Sequence, residues 1–331
     1  MFTNIGKILT RKPIGKYKFS LVFSLILPLI IVSGLIWGFI AFVTSETKPY
    51  LMSGYDDCAG LTQRLLVADI SPSERNPTYA SFFRTMPKSN NREILAQYRV
   101  ENNMLVVETI PDNVPADYVG LSKDMTYHIE LWEYLSTITP DELTKQFQHF
   151  VIFTDGRNNT LSSISGLLTK DVGLWLDIVD VNRSTKMTAN HIHELGHLIT
   201  LNQDQVENND DDRCDNGKYC FRPDSYYIHF VNEFWDDVDA SWIDANENED
   251  EDAQRLFYNN HFDEFVTYYA TTHPSEDIAE TWTHFVLTKK PTAKTVAEEK
   301  ILFFYEFEEL VRLRDEIRTN ICEYYDVPIN E

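Results

Sequence analysis

The distribution of apolar residues predicts short strands and amphipathic helices in an α+β fold. Residues 104–110 and 150–154 are runs of β-branched and aromatic side chains, which are typical of strands. Between them, residues 139–142 (Thr-Pro-Asp-Glu) predict a helix start with a capping box. Residues 174–181 form the strongest strand pattern and end shortly before a helical one. This order suggests a sheet edge to which an extended peptide could pair, although an ordinary core strand explains the same residues.

Residues 191–199 have the period of a helix that packs on one face. At about 100° per residue, Ile192, Leu195 and Ile199 form one apolar stripe. The side chains roughly opposite this stripe carry the candidate chemistry: His193, Glu194 and His197. His191 points away from them and is interpreted as a surface or core residue. The helix can therefore pack and bind a metal at the same time.

The spacing of these polar residues is H-E-x-x-H, which is found in zinc peptidases. Two imidazoles four residues apart suit adjacent corners of a zinc tetrahedron. Glu194, beside the first of them, can take a proton from a metal-bound water. The plainer interpretation is a helix that happens to carry two histidines.

A second helix is predicted after Pro274, because proline and acidic residues favour the first turn. Glu276 and Glu280 share one face of it, and Ile278 and Trp282 share another. A catalytic zinc needs three protein ligands and an open position, so this helix can supply the third ligand. The other carboxylate could accept the N–H of a ligating histidine and fix its tautomer. Alternatively, these acids only complement the helix dipole.

These segments resemble the zincin-fold zinc metallopeptidases with a Glu third ligand, specifically the anthrax lethal factor-like metallopeptidases. That family carries H-E-x-G-H, followed later by a Tyr, six residues and E-x-x-A-E. The corresponding pieces here are residues 193–197, Tyr269 and residues 276–280. The resemblance implies a zincin-like domain with a small mixed sheet, an active-site helix and C-terminal helices.

The resemblance also implies a role for each matching residue. The implied zinc ligands are His193, His197 and Glu276. Glu194 would be the general base, Glu280 the partner of a ligating histidine, and Tyr269 a donor to the tetrahedral oxyanion. His284 lies one turn after Glu280, which leaves open that Glu280 is the ligand. The interval between His197 and Glu276 is longer than the family pattern, so residues 203–260 are interpreted as an acidic insertion.

The N-terminus predicts a membrane anchor. Its basic residues precede any acidic one and are Lys7, Arg11, Lys12, Lys16 and Lys18. Residues 21–43 then carry no charge and are long enough to cross about 30 Å of hydrocarbon. We expect residues 1–20 to be cytoplasmic and the rest to face outward across the cell membrane. A cleaved signal peptide is the alternative, but its apolar region is usually only about 7 to 15 residues.

The remaining chain is expected to comprise a stalk or peripheral segment, residues 44–95, and a metallopeptidase domain, residues 96–331. The net charge of −23 argues against nucleic acid as a partner. Acidic runs at residues 208–212 and 247–252 match no EF-hand spacing, so they predict solvated loops rather than calcium sites. Aromatic residues nearby require burial, so this region is expected to be partly ordered and to rim the cleft: Phe234, Trp235 and Trp242.

The four cysteines form an even set in a chain expected to face outward: Cys58, Cys214, Cys220 and Cys322. Disulfides are therefore predicted, with three pairings possible. Cys214 with Cys220 would close a small loop, and Cys58 with Cys322 would join the ends of the ectodomain. No C-x-x-C motif occurs, which argues against a cysteine zinc site.

The sequence thus predicts a membrane-anchored, outward-facing zinc metallopeptidase that hydrolyses a protein or peptide substrate, as an endopeptidase. Glu194 would activate the zinc-bound water. Residues 200 and 203 are Thr and Gln, so the extended three-histidine zincin motif is absent. No G-x-S-x-G motif supports a serine nucleophile. The alternative is a noncatalytic, surface-displayed zinc-binding or interaction module, in which zinc is closed by four protein ligands or absent.

Overall fold

The structure is a computed structural model. It describes residues 57–67, 92–156, 161–183, 186–207, 220–235, 242 and 251–329. Within these residues, no helix combines the length and apolar character needed to cross a bilayer. The predicted cytoplasmic tail and anchor, residues 1–43, lie outside the described residues.

A five-stranded sheet forms one layer of the fold. Its strands are β1 (Glu93–Glu101), β2 (Met104–Thr109), β3 (Phe147–Thr154), β4 (Ser162–Ser165) and β5 (Val172–Asp177). The spatial order is β2-β1-β3-β5-β4. The β3–β5 pair is parallel and the other pairs are antiparallel, so the sheet is mixed, as predicted. A separate two-stranded pair joins β6 (Val206–Glu207) and β7 (Cys220–Phe221).

Helices form the other layer and much of the C-terminal half. They are α1 (Cys58–Leu65), α2 (Val119–Lys123), α3 (Met125–Ile138), α4 (Asp141–Thr144), α5 (Ile178–Arg183), α6 (Met187–Thr200), α7 (Tyr226–Phe234), α8 (Glu251–Asn260), α9 (Pro274–Leu287), α10 (Val296–Phe303) and α11 (Glu308–Tyr324). The predicted α+β class is therefore confirmed.

The strand predictions are confirmed for residues 104–110 and 150–154, apart from the ends. The prediction for residues 174–181 is wrong beyond Asp177, where the chain turns into α5. Asp177 Oδ1 accepts the backbone N–H groups of Val179 and Asp180, at 2.8 and 3.1 Å. This side chain therefore caps a helix start. β5 lies between β3 and β4, so it is a core strand, and the sheet edge beside the candidate site is β4.

Residues 139–142 do lead into a helix, α4, but the predicted capping box is wrong. The Thr139 hydroxyl donates to Leu135 O at 2.7 Å and lies 2.7 Å from His191 Nε2, so it is directed away from α4. His191 is buried, and burial lowers its pKa to about 3. It is therefore a neutral core histidine.

The helices α6 and α9 pack closely against each other, and Gly196 lies at their contact. A Cβ atom at Gly196 would lie only 3.0 Å from both Ala279 Cα and Trp282 Cδ1. Trp282 is fully buried. The absence of a side chain at Gly196 therefore permits the close approach that brings the two candidate helices together.

The first described helix, α1, is tied to the end of the domain. A disulfide joins Cys58 to Cys322 of α11, which confirms this pairing among the predicted ones. Leu61 and Leu65 are fully buried, so α1 contributes to the core instead of forming an extended stalk. The predicted boundary near residue 95 stays a prediction, and Cys214 lies outside the described residues.

The segment predicted as an acidic insertion contains helices. Phe230 of α7 is fully buried, and the Trp235 indole donates to Asp277 Oδ2 at 2.9 Å. Trp242 donates to Thr271 O at 2.6 Å. The expected partial order is therefore confirmed. Residues 251–252 begin α8, so the loop prediction is wrong there, and residues 208–212 lie outside the described residues.

Candidate metal centre

The helix α6 places its polar residues against α9 while its apolar stripe enters the core. Ile192 and Leu195 are fully buried, and Ile199 is 5% exposed. His193 and Glu194 are 7% and 6% exposed. The predicted division of the helix into an apolar face and a polar face is therefore observed.

The helix α9 begins one residue after His273, whose ring accepts the backbone N–H of Ser275 at 3.1 Å. Pro274 occupies the first turn, where its missing N–H leaves no bond unmade. Glu276 and Glu280 follow one turn apart and both point toward α6, because each contacts His193. The predicted second helix and its start are thus present.

Three potential ligand groups converge from these two helices. Glu276 Oε2 lies 3.2 Å from His193 Nε2 and 3.4 Å from His197 Nε2. One ligand atom from each residue lies within 4.8 Å of the other two. Zinc bonds of about 2.0–2.1 Å place tetrahedral ligand atoms roughly 3.3 Å apart. The residues present therefore fit a zinc ion held by two imidazoles and one carboxylate.

Glu280 holds the other side of the His193 ring. Its Oε1 lies 2.8 Å from His193 Nδ1, and its Oε2 accepts the hydroxyl of Thr267 at 2.7 Å. Because a carboxylate only accepts, Nδ1 carries a proton, and Nε2 is the ring nitrogen that would ligate a metal. His197 Nδ1 is buried without a hydrogen-bond partner among the described residues.

The carboxylates and imidazoles at the contact of α6 and α9 favour a positive charge between these helices. Burial lowers the pKa of His193, but its contacts with Glu276 and Glu280 outweigh burial and raise that pKa to about 10. Burial works in the opposite direction on Glu276, yet both imidazoles hold the pKa of this carboxyl well below its usual range. A divalent cation that displaces the proton would satisfy the same carboxylates.

Glu194 lies beside the ligand cluster, in contact with the sheet edge. Ser162, the first residue of β4, donates to Glu194 Oε1 at 3.4 Å. Burial raises the pKa of Glu194, and the neighbouring histidines oppose this effect. A carboxylate with a raised pKa is a better proton acceptor near neutral pH.

Tyr269 lies in a short 3-10 turn, Tyr269–Thr271, just before α9. Its ring centroid lies 5.8 Å from that of His193, and half of the residue is exposed. Burial and the charge of Glu276 raise the pKa of the Tyr269 hydroxyl. The hydroxyl therefore keeps its proton and can donate to a ligand in the cleft.

A second group with metal-compatible spacing consists of Asp155, Asp177 and Asp180. Asp177 Oδ2 accepts the backbone N–H of Asp155 at 2.8 Å, and its other oxygen caps α5. Burial raises the pKa of Asp177 to about 6. Both oxygens of Asp177 thus accept backbone N–H groups, and we interpret Asp177 as a structural residue.

Two contacts of the site come from residues that the sequence patterns did not mark, Ser162 and Thr267. Ser162 contacts a residue 32 positions away and Thr267 contacts one 13 positions away, so neither contact follows from the period of a single helix or strand. A Thr two positions before a candidate catalytic Tyr is too common to serve as a signal.

Residues 222–322 match the model of a family described as "Putative zinc-binding metallo-peptidase". The match includes Tyr269, Glu276 and Glu280 but begins after α6, so it does not cover His193, Glu194 or His197. It supports zinc as the metal and peptide hydrolysis as the reaction class. No curated protein and no solved structure matches the chain.

Proposed function

We propose that this chain is a zinc-dependent endopeptidase of the zincin type, with a Glu third ligand. The observation that carries the proposal is the convergence of His193, His197 and Glu276 from two helices, at the spacing of a zinc tetrahedron. Only three protein groups converge there among the described residues. A three-ligand site leaves a position for the reacting molecule, as catalytic zinc sites do.

The choice of Glu276 as ligand and Glu280 as its support follows from their different contacts. Glu276 contacts the Nε2 atoms of both histidines, whereas Glu280 contacts Nδ1 of His193. A carboxylate on Nδ1 orients the imidazole and increases its basicity. This geometry supports Glu276 over the alternative ligand Glu280.

The remaining residues divide the acid–base work. Bound zinc would supply a Lewis acid that polarises the scissile carbonyl and lowers the pKa of water. Glu194 takes the proton of the attacking water and passes it to the leaving amine. The Tyr269 hydroxyl donates a hydrogen bond to the scissile carbonyl oxygen as that oxygen becomes negative. The edge strand β4 lies beside Glu194 and offers backbone groups with which an extended peptide can pair.

The proposed setting is the outer face of a cell membrane, with residues 21–43 as a single anchor. The uncharged length of this segment and the basic residues before it support the orientation. The disulfide between Cys58 and Cys322 supports an oxidising compartment for the domain.

The substitution Glu194→Gln tests the catalytic assignment. The variant is expected to lose about 10²–10⁴-fold in cleavage rate, since a glutamine cannot accept the proton. Zinc is retained because Glu194 is not a ligand. Cleavage is measured on a peptide library, and zinc by metal analysis of the full-length chain.

The matched control is Glu308→Gln, at an exposed position of α11, which is expected to cleave like the unsubstituted chain. Wild-type turnover in Glu194→Gln would contradict the base assignment. Stoichiometric zinc without any cleavage by the unsubstituted chain would instead favour the noncatalytic zinc-binding module.

A further inference from the structure

The hydroxyl of Thr267 joins two parts of the candidate site. It donates to Glu280 Oε2 at 2.7 Å and accepts the backbone N–H of Ala270 at 3.1 Å. Both functions of the hydroxyl are therefore used. One side chain links α9, which carries Glu280, to the turn that carries Tyr269.

The first path leads from Thr267 to the metal ligand His193. Glu280 Oε1 contacts His193 Nδ1 at 2.8 Å, while Oε2 is held by Thr267. A carboxylate fixed at both oxygens cannot rotate without breaking one of these bonds. The Glu280 side chain is only 18% exposed, so water replaces a lost partner poorly. The orientation of the His193 ring thus depends on Thr267.

The second path leads from Thr267 to Tyr269. The N–H of Ala270 belongs to the 3-10 turn, and its bond to Thr267 closes the start of that turn. The Tyr269 ring, one residue earlier, lies 5.8 Å from the His193 ring. The same hydroxyl therefore sets the position of Tyr269 relative to the metal ligand.

We propose that Thr267 is a positioning residue on which both the zinc ligand His193 and the oxyanion donor Tyr269 depend. The proposal rests on the proposed zinc peptidase function. Thr267 acts through Glu280 and Ala270 and does not touch the reacting atoms. Loss of its hydroxyl therefore weakens zinc binding and lowers kcat, while KM changes little.

Three variants of the full-length chain test this role. Thr267→Val keeps the shape and removes the hydroxyl, and it is expected to weaken zinc binding by about 10–100-fold. Thr267→Ser keeps the hydroxyl, and its zinc affinity is expected to stay within about threefold of wild type, which corresponds to less than about 1 kcal/mol. Affinity is measured by competition with a chromophoric chelator, and kcat and KM on zinc-saturated protein.

The control is Thr272→Val, which removes a hydroxyl from the residue that follows the same turn. Thr272 Oγ1 donates to Tyr269 O at 2.8 Å and has no bond to Glu280. We expect this variant to bind zinc like wild type. Equal losses in Thr267→Val and Thr272→Val would overturn the proposal, because general loosening of the turn would then explain both.

A double-mutant cycle with Glu280→Gln tests the path itself. Because Thr267 acts on His193 through Glu280, the combined loss of zinc affinity is expected to be smaller than the product of the single losses. Additive losses, or wild-type zinc affinity in Thr267→Val, would overturn the role of Thr267 alone. Failure of the unsubstituted chain to bind zinc would overturn the proposed function and this proposal together.

Discussion

Glu276 and Asp277 are adjacent on α9 but lie in opposite surroundings. One residue of an α-helix turns the side-chain direction by about 100°. Glu276 therefore faces the imidazoles of α6, and Asp277 enters the core, where it is fully buried. Asp277 accepts hydrogen bonds from Lys300 at 2.7 Å and from the Trp235 indole at 2.9 Å.

The two carboxylates differ in how their charge is balanced. The partners of Glu276 are imidazoles, and a metal ion could bind between them and the carboxylate. These imidazoles keep the pKa of Glu276 below its usual range, although burial alone would raise it. Burial raises the pKa of Asp277, although Lys300 opposes this effect. Lys300 Nζ is fixed 3.8 Å from the centre of the Phe265 ring. The first turn of α9 thus carries two kinds of carboxylate. The charge of Glu276 can be balanced by protonated imidazoles or by a metal ion, whereas that of Asp277 is balanced by Lys300.

The largest expected effect on stability comes from breaking the buried ion pair between Asp277 and Lys300. Lys300→Met leaves Asp277 as an uncompensated charge in the core, since both side chains are at most 1% exposed. The free energy of unfolding is expected to fall by about 3–5 kcal/mol. Chemical denaturation of the zinc-free protein measures this loss.

A double variant and a surface control sharpen the interpretation. Adding Asp277→Asn to Lys300→Met removes the unpaired charge, so part of the lost stability should return. Lys290 also lies over an aromatic ring, that of Tyr305 at 4.2 Å, but it is exposed. Lys290→Met is expected to change stability by less than about 1 kcal/mol. Equal losses at the two lysines would refute the buried-pair argument.

A smaller effect, on zinc affinity instead of stability, is expected from Glu276→Gln. An amide is a poor zinc ligand beside two imidazoles, so zinc affinity should fall by about a hundredfold or more, equivalent to about 2.7 kcal/mol. The unfolding free energy of the zinc-free protein should fall less than in Lys300→Met, because the Glu276 side chain is partly exposed at the cleft. Chelator competition and denaturation measure the two quantities separately.

The comparison variant is the neighbouring Asp277→Asn. It is expected to lower stability, because Lys300 loses its counter-charge, while the folded protein keeps its zinc affinity within about threefold, under 1 kcal/mol. The opposite result, zinc loss from Asp277→Asn with normal binding in Glu276→Gln, would mean that the two faces of α9 have been assigned in reverse.

These neighbours also show what the sequence could predict. The pattern on α6 was readable because both histidines lie on one helix, where spacing fixes their relation. Glu276 and Glu280 followed from helix periodicity and family resemblance. The pairing of Asp277 with Lys300 did not, because the partner lies on another helix and no local pattern links them. Asp277 looked like one more acidic residue in a first turn.

The strand predictions likewise succeeded where local sequence determines the structure and failed where contacts between distant residues do. The runs at residues 104–110 and 150–154 predicted strands, since β-branched and aromatic side chains favour that state. The run at residues 174–181 did not reveal where its strand ends. Asp177 stops it by capping α5 and by accepting the N–H of Asp155 from the neighbouring strand end. Only the folded chain supplies that last contact.

The smallest of these effects is expected at the contact between the two helices, from Gly196→Ala. A methyl group there would lie 3.0 Å from Ala279 Cα. Backbone cannot rotate away as a side chain can, so α6 and α9 must separate. Overpacking of this kind costs about 1–3 kcal/mol, although alanine alone favours a helix by about 1 kcal/mol over glycine. Zinc affinity should fall as well, because α6 carries His193 and α9 carries Glu276.

The matched control for Gly196→Ala is Gly120→Ala in α2, where nothing lies within 4 Å of the added methyl group. Only helix propensity acts at this position, so the change should be neutral or stabilising by up to about 1 kcal/mol. Opposite signs at the two glycines, measured by denaturation of the zinc-free proteins, would show that helix contact outweighs propensity at Gly196. If both variants gained stability and kept their zinc affinity, the close approach of α6 and α9 would not be what holds His193 within reach of Glu276.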